Sequence, residues 1–283
     1  MKVAVIGANG QLGSELVEQL RDKHEPVALT HADIEITDIK SISQKLQSIL
    51  PDAVINTAAY HNLAACEKNP ALSFKVNSIG ALNLAQVAAD LDLKLVHYST
   101  DYVFDGNKKK PYTESDQPNP LNVFALTKLN GEFLIKNNCY KRFILRISGI
   151  YGKAACRAKG DNFITRIEKR AKEKEVIKVV DDEVLTPTSV FEIARNTISL
   201  LETEAYGLYH MTCEGHCSWF DFTGVLFREL KIKTPLLSCK RSELSNYIKR
   251  PSYSVLENAK LKSVNLNQMT DWEHALIKFI RSR

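Results

Sequence analysis

Three glycines near the start of the chain have the spacing of a loop that holds the phosphates of a dinucleotide. Gly7, Gly10 and Gly13 follow the short apolar run Val3 to Ile6 and open an amphipathic segment. In a turn between a strand and a helix, glycines let the backbone approach a pyrophosphate closely, and the free N–H groups at the helix N-terminus meet its charge. The predicted phosphate loop comprises Gly7, Asn9, Gly10, Gln11, Leu12 and Gly13.

The end of the second predicted strand indicates which dinucleotide is bound. A carboxylate there would bind the ribose 2′-hydroxyl of NAD and repel the 2′-phosphate of NADP. The chain has Thr30 and His31 at this place, and its first carboxylate comes at Asp33. A hydroxyl and an imidazole can accept the phosphate, so NADP(H) is slightly favoured over NAD(H), although His31 could equally be an ordinary surface residue. Asp38 and Ile39 complete this part of the predicted cofactor site.

Short apolar runs alternate with amphipathic segments through the first half of the chain. This alternation predicts an α/β fold, a doubly wound parallel sheet that forms a Rossmann-like NAD(P)-binding domain, with ligands at the carboxyl ends of the strands. The predicted strands are Val3 to Ile6, Val27 to Leu29, Ala53 to Asn56, Leu95 to Tyr98 and Phe143 to Ile147, and the predicted helices are Gln11 to Leu20, Ile39 to Leu50, Ala71 to Leu91 and Thr127 to Asn137.

The second half is less regular and predicts a smaller, interwoven substrate lobe. Tyr151 to Gly160 is rich in small and basic residues, which is typical of a mobile loop. We assign residues 1–149 plus 176–211 to the dinucleotide-binding domain and 150–175 plus 212–283 to the substrate lobe. The predicted elements are helices at Phe163 to Lys174, Phe191 to Glu202 and Trp219 to Leu230, and strands at Val176 to Val180 and Gly207 to Met211.

Composition excludes several classes of protein. With 283 residues, 44% hydrophobic and 25% charged, the chain matches ordinary globular proteins. The net charge of +5 is mild, and the single tight basic run, Lys108 to Lys110, is typical of a solvated loop, so we expect no nucleic acid partner. No apolar stretch approaches the roughly 20 residues that span a bilayer, so we expect no membrane partner.

The cysteines favour a reducing compartment. Six of them are scattered along the chain without a leader segment, so we expect free thiols and a cytoplasmic location. His210, Cys213, His216 and Cys217 lie close together, but no second Cys/His pair elsewhere completes a zinc site. We therefore expect no metal.

One segment after the fourth major strand is more specific than any other, and it leads to a family. Ser99-Thr100-Asp101-Tyr102-Val103-Phe104-Asp105-Gly106 closely resembles a segment of the dTDP-4-dehydrorhamnose reductase family, sugar-nucleotide reductases of the extended short-chain dehydrogenase/reductase group. The resemblance continues nearly from end to end. It includes Asn56 to Tyr60, Asn77, Pro120 to Asn122, Thr127 to Leu129, Gly131-Glu132, Arg146, Asn162-Phe163, Thr186 to Thr188, Ser218-Trp219, Arg250-Pro251 and Ser254 to Leu256.

The resemblance implies a reaction and roles for particular residues. The implied reaction is the NAD(P)H-dependent reduction of the C4 keto group of a nucleotide-linked 6-deoxyhexose such as dTDP-4-dehydro-L-rhamnose, in the biosynthesis of cell-surface polysaccharide. Thr100 would hydrogen-bond the C4 carbonyl, and Lys128 would bridge the nicotinamide ribose hydroxyls and lower the pKa of the proton donor. The resemblance also allows a homodimer. It places Ala58, Ala59 and Tyr60 along the cofactor, and Thr100, Asp101, Tyr102 and Asn162 in the substrate site.

One position departs from the family in a way that affects catalysis. The family's proton donor is a tyrosine four residues before the lysine, and this chain has Phe124 there, four residues before Lys128. Phenylalanine cannot donate a proton, and general acid catalysis is worth roughly 10²- to 10⁴-fold in rate. Because the two positions are one helical turn apart, a tyrosine hydroxyl at 124 would lie beside the lysine.

Three explanations of Phe124 stay open at this point. The substitution could be engineered, the enzyme could use another donor such as Tyr102 or water, or the chain could be a non-catalytic NAD(P)-binding scaffold or regulatory subunit. Two further departures concern the substrate. Ser148 to Tyr151 replaces a segment in which many relatives carry a tryptophan against the sugar, and Ala64 replaces an aspartate.

Overall fold

The computed structural model of the chain describes residues 1–154, 160–244 and 248–283. Its strands are β1 (Lys2–Ile6), β2 (Glu25–Leu29), β3 (Ala53–Asn56), β4 (Lys94–Thr100), β5 (Arg142–Ile147), β6 (Ile150–Tyr151), β7 (Ile177–Val180), β8 (Val184–Leu185), β9 (Thr188–Ser189), β10 (Gly207–His210), β11 (Cys217–Ser218) and β12 (Leu236–Cys239). Its helices are α1 (Gln11–Leu20), α2 (Ile39–Ile49), α3 (Leu63–Lys68), α4 (Pro70–Phe74), α5 (Gly80–Asp90), α6 (Val123–Asn138), α7 (Phe163–Glu173), α8 (Val190–Leu201), α9 (Trp219–Leu230), α10 (Ala259–Ser263) and α11 (Trp272–Arg281).

A six-stranded parallel sheet in the order β10-β5-β4-β3-β1-β2 forms the centre of the molecule. Helices cover both faces. Leu16 of α1 and Ile193 of α8 belong to the same buried cluster as Val5, whereas Leu84 of α5 and Val54 lie in a second cluster. The predicted doubly wound α/β fold is confirmed. Strand β4 lies inside the sheet between β3 and β5, so its carboxyl end opens where ligands bind in such folds.

The predicted helix over Ala71 to Leu91 is divided into three segments. Pro70 begins α4, a π-helical turn follows at Lys75–Ile79, and α5 continues to Asp90. Single π turns that interrupt helices are frequent at functional sites. Here the turn carries the buried side chain of Asn77, which contacts the loop after β3. Amphipathic periodicity did not predict this interruption because apolar residues recur through all three segments.

In the described part of the C-terminal half, the chain returns to the central sheet once, through β10, while β7 pairs with β12 in a separate small sheet. Tyr151 belongs to β6 and is buried against Phe222 and Phe279. The prediction that the mobile loop begins at Tyr151 is therefore wrong. Residues 155–159 of the predicted loop lie outside the described residues. One apolar cluster runs from β1 to α11, and the division into two lobes stays a prediction.

Within the described ranges, no helix is long and apolar enough to cross a bilayer.

Candidate active site

The turn between β1 and α1 has the geometry of a phosphate cradle. Gly7 adopts φ +78°, a left-handed conformation that favours glycine, and a Cβ on Gly13 would lie 2.2 Å from the Gly7 carbonyl oxygen. Gly10 precedes α1 without a capping side-chain hydrogen bond, which leaves the first turn of the helix for an anion. Gln11 carries a buried Oε1 that has no hydrogen-bond partner in the described part of the chain. These features fit a dinucleotide.

The carboxylate of Asp33 lies closer to the end of β2 than the sequence interpretation assumed. The amide N–H and the hydroxyl of Thr30 both donate to Asp33 Oδ2 at 2.8 Å. These two bonds lower the pKa of Asp33, so the group is ionised at neutral pH. His31 is exposed, and its Nε2 lies 3.0 Å from Glu35. A carboxylate is therefore bonded to Thr30, one of the two residues predicted to accept a 2′-phosphate.

The remaining predicted cofactor residues lie on loops with defined supports. Asp38 caps α2, which begins at Ile39. Tyr60, after β3, donates its N–H to Asn77 Oδ1 at 2.8 Å, and its carbonyl accepts from Asn77 Nδ2 at 2.9 Å. The same Nδ2 donates to Thr127 at 3.0 Å, so the buried asparagine joins the loop to α6.

Lys128 ends a directional chain of hydrogen bonds. Asn56 Oδ1 accepts from the Ala58 N–H at 3.0 Å, which fixes the amide and makes its Nδ2 donate to His97 Nδ1 at 3.1 Å. The proton of neutral His97 must then be on Nε2, 2.9 Å from Lys128 Nζ. The chain is satisfied when Lys128 is an uncharged amine. Burial acts in the same direction and lowers the pKa of Lys128 to about 8.

His97 is held neutral by two effects. Burial lowers its pKa well below the ordinary value, and the charge of Lys128, when present, lowers it further. Sequence reasoning missed this residue. The available signal was a histidine inside the apolar strand Leu95-Val96-His97-Tyr98, where a buried parallel strand is normally apolar throughout.

Thr100, at the end of β4, is bonded to the acid that follows it. Its hydroxyl lies 3.1 Å from Asp101 Oδ1 and accepts from the Tyr102 N–H at 3.2 Å. Asp101 Oδ2 accepts from Ser148 at 2.9 Å and from Ser254 at 2.6 Å. Burial raises the pKa of Asp101 to about 6, although these hydroxyls partly offset the effect.

Phe124 occupies the position of the expected proton donor, and its ring carries no hydroxyl. Asn122 caps α6, accepting from the Ala125 N–H at 2.9 Å, so Phe124 lies in the first turn and Lys128 one turn later on the same helix. Tyr102, the alternative donor, has its pKa raised by burial, which makes the phenol a weaker acid. Thr100 thus ends β4, Asp101 follows it, and Lys128 reaches His97 of the same strand from α6, without a tyrosine at 124.

A buried ion pair supports this region from below. Arg146 of β5 donates to both carboxylate oxygens of Glu132 on α6, at 2.9 and 2.7 Å. Ser99 of β4 also donates to Glu132. Strands β4 and β5 and helix α6 are therefore held together immediately beneath Thr100 and Lys128.

Asn162, predicted to contact the sugar, has protein partners at both ends of its amide. Its Oδ1 accepts from the Thr165 N–H at 2.9 Å, and its Nδ2 donates to the Gly152 carbonyl at 2.8 Å. It caps α7, and its contact with substrate stays a prediction. In the ranges that the structure covers, no three metal-ligating side chains gather into a metal site.

Comparisons with known proteins agree with this geometry. The whole chain, residues 1–283, matches the family model described as RmlD substrate binding domain. The spore coat polysaccharide biosynthesis protein SpsK of Bacillus subtilis is 34% identical over 283 residues, 100% of this chain and 98% of that protein. The dTDP-4-keto-6-deoxy-D-glucose reductase of Streptomyces niveus is 33% identical over 275 residues, 96% of this chain and 94% of that protein. The solved dTDP-4-dehydrorhamnose reductase of Bacillus anthracis in complex with NADP has a TM-score of 0.95 at 35% identity, covering 100% of this chain and 99% of that one.

Proposed function

The chain belongs to the RmlD substrate binding domain family, and we propose that it is an NAD(P)H-dependent reductase that converts the C4 keto group of a nucleotide-linked 6-deoxyhexose into a hydroxyl. Relatives named as reductases of dTDP-linked keto sugars match it over nearly their whole length. A dTDP-4-dehydro-L-rhamnose-like sugar fits this reaction. The similarity to SpsK favours a role in cell-surface polysaccharide biosynthesis.

One observation carries the proposal. Lys128 reaches His97 on β4, and Thr100 ends the same strand three residues later. The proposed ribose-binding group, Lys128, is thus hydrogen-bonded to β4, and the proposed carbonyl-binding group, Thr100, is its last residue. The glycine turn after β1 supplies the phosphate site at the same carboxyl edge of the sheet.

Each residue has a defined task in this reaction. When bound, the nicotinamide supplies a hydride to the carbonyl carbon. Thr100 holds and polarises the carbonyl oxygen, and Lys128 orients the ribose. Ala58, Ala59 and Tyr60 line the cofactor, while Asp101, Tyr102 and Asn162 belong to the substrate site.

The scaffold alternative is not favoured. Its basis was Phe124, but relatives over the full length are named as reductases, and the site retains Thr100 and Lys128. The substitution therefore raises a question about the proton source within an enzyme.

We further propose that NADPH binds at least as tightly as NADH. The B. anthracis relative was solved with NADP, and Thr30 and His31 can accept a phosphate. The carboxylate of Asp33 opposes phosphate binding, because it is hydrogen-bonded to Thr30. The preference should therefore be small.

Assembly, lobes and location complete the proposal. Exposed apolar side chains on α6 and on the adjacent π turn, Leu126, Phe133 and Ile79, offer a surface for a second copy of the chain, which light scattering would test.

Residues 150–175 plus 212–283 form the proposed sugar-nucleotide lobe. The described cysteines are all free, which supports a reducing compartment such as the cytoplasm.

The direct test uses purified protein, NADPH and dTDP-4-keto-6-deoxy-D-glucose or dTDP-4-dehydrorhamnose. We expect steady NADPH oxidation and a 4-hydroxy product by mass spectrometry. Tight cofactor binding without turnover on either sugar would contradict the proposed reaction.

A further inference from the structure

Reduction of a ketone requires a proton as well as a hydride, and the position that supplies it in the family is Phe124 in this chain. Any assignment of that proton's source rests on the proposed function. The source must be acidic near neutral pH and connected to the carbonyl oxygen. Position 124 offers neither property, and the Tyr102 phenol has a pKa raised by burial.

Asp101 is a buried acid that forms no ion pair with any residue the structure describes. Its side chain faces hydroxyls on three segments, Thr100 after β4, Ser148 after β5 and Ser254 near the C-terminal end. Among the described residues, no lysine, arginine or histidine lies within ion-pair distance of it. A carboxyl that is removed from water and has no cation nearby favours its protonated form.

The protonation state of Asp101 controls where the Thr100 hydrogen points. When Asp101 is ionised, the Thr100 hydroxyl donates to Oδ1, 3.1 Å away. When Asp101 is protonated, Oδ1–H donates to Thr100, whose oxygen already accepts from the Tyr102 N–H. With both acceptor positions filled, the threonine hydrogen is free to point at a substrate carbonyl.

We propose that Asp101, acting through the hydroxyl of Thr100, supplies the proton for the sugar alkoxide in place of the tyrosine absent at position 124. Thr100 touches the substrate, and Asp101 is the proton reservoir behind it. Ser148 and Ser254 stabilise the carboxylate that remains after transfer.

The step balances in atoms and electrons. The hydride that NAD(P)H supplies would form a C–H bond at the sugar C4 as the C–H bond of the reduced nicotinamide breaks, and the carbonyl π pair would move to the oxygen as the alkoxide. The sugar would thus be reduced, and the nicotinamide oxidised, by two electrons. An O–H bond forms at the sugar oxygen as the Thr100 Oγ–H bond breaks. A new Oγ–H bond then forms as the Asp101 Oδ1–H bond breaks, and solvent protonates the carboxylate after product release.

Double variants separate this role from a structural one. Asparagine at 101 is the isostere of the protonated acid, because its Nδ2 can donate to Thr100 while its Oδ1 accepts from both serines, but it yields no proton. We expect Asp101→Asn to lower kcat about 100-fold or more, and to have less than about a tenfold effect when Phe124→Tyr supplies a second donor. Asp105→Asn, on the adjacent turn, serves as the control and should leave kcat unchanged.

A pH profile gives the second readout. Tyr102 is the titratable group that interacts with Asp101, and it also experiences the charges of Arg250, Glu183 and Arg241. Because the acid must be protonated, kcat/KM should fall as pH rises above about 6. Ser254→Ala removes a bond that stabilises the anion, so the fall should move to higher pH.

The outcomes separate the role of Asp101 from the proposed reductase reaction. If Asp101→Asn lowers kcat equally in the wild-type and Phe124→Tyr backgrounds, or if Ser254→Ala does not move the pH limb, the role of Asp101 alone is overturned. Absence of turnover in both wild type and Phe124→Tyr would overturn the proposed function, and the role of Asp101 with it. Loss confined to the wild-type background, together with a shifted limb, supports Asp101 as the reservoir.

Discussion

Asp101 and Glu132 are both nearly inaccessible to water, with 3% and 5% of their surfaces exposed, and the protein stabilises them in different ways. Glu132 receives two hydrogen bonds from the Arg146 guanidinium and a third from Ser99. Among the described residues, the side chains that hydrogen-bond Asp101 are hydroxyls. A buried acid with a matching cation holds elements together, whereas one among hydroxyls can exchange its proton. The first acid supports the site, and the second can take part in its chemistry.

The largest expected effect comes from breaking the ion pair. Glu132→Gln leaves the Arg146 guanidinium buried without a counter-charge, and removing one partner of such a pair typically costs about 3–5 kcal/mol in the free energy of unfolding. Urea unfolding followed by circular dichroism measures it. A loss below about 1 kcal/mol would show that the two acids do not differ in this way.

Asp101→Asn should change stability in the opposite direction at high pH. The pKa of Asp101 in the folded protein is about 6, above roughly 3.9 in the unfolded chain. Wild type therefore loses stability relative to the variant as pH rises through this interval, by up to about 3 kcal/mol. Unfolding curves at pH 4 and pH 8 test the sign. A variant that is equally destabilised at both values would contradict the raised pKa.

Phe124→Tyr tests by its turnover whether Asp101 limits proton transfer in the wild-type protein. A tyrosine hydroxyl one turn before Lys128 gives a second proton donor, so turnover on a 4-keto sugar nucleotide should rise by about tenfold or more, equivalent to ~1.4 kcal/mol. Cofactor affinity should stay nearly the same, because the ring position does not change. Stopped-flow kinetics and calorimetric titration measure the two quantities. A wild type already as fast as the variant would mean that the existing donor is not limiting.

A third acid extends the comparison to the surface. Asp33 is solvated and bonded to Thr30, and its pKa is lowered where that of Asp101 is raised. Asp33→Asn removes a charge bonded to Thr30, beside the proposed 2′-phosphate site, so the ratio of NADPH to NADH affinity should rise, by up to about tenfold. Calorimetric titration with both cofactors decides this. Glu35→Gln, which changes a carboxylate two residues further on, is the matched control.

The sequence predicted the framework well where periodicity was strong. Helices Gln11–Leu20 and Trp219–Leu230 have the predicted bounds, because apolar residues recur at helical spacing along both. Two-residue strands such as β6 and β9 were not predicted, since two residues carry no periodicity. The π turn at Lys75–Ile79 likewise leaves no signal in an amphipathic pattern.

The candidate site could be predicted only in part for a related reason. Thr100 and Lys128 stand in local motifs that a family shares. The partners that give Asp101 its chemistry come from Ser148 and Ser254, 47 and 153 residues away in the chain. Only the folded topology brings those hydroxyls to one carboxyl group, and only the fold shows that no cation among the described residues accompanies them.

The hydrogen-bond chain from Asn56 through His97 to Lys128 predicts that cofactor binding depends on pH. In the proposed role of Lys128, the ribose hydroxyls would favour its ammonium form, while the hydrogen-bond chain without cofactor favours the amine, whose conjugate acid has a pKa of about 8. Binding should therefore raise that pKa and take up a fraction of a proton. Above pH 8, cofactor affinity should weaken as pH rises, and the binding enthalpy should depend on the ionisation enthalpy of the buffer. His97→Leu should abolish the directional constraint and reduce this proton uptake, so the reductase would bind its cofactor with less dependence on pH.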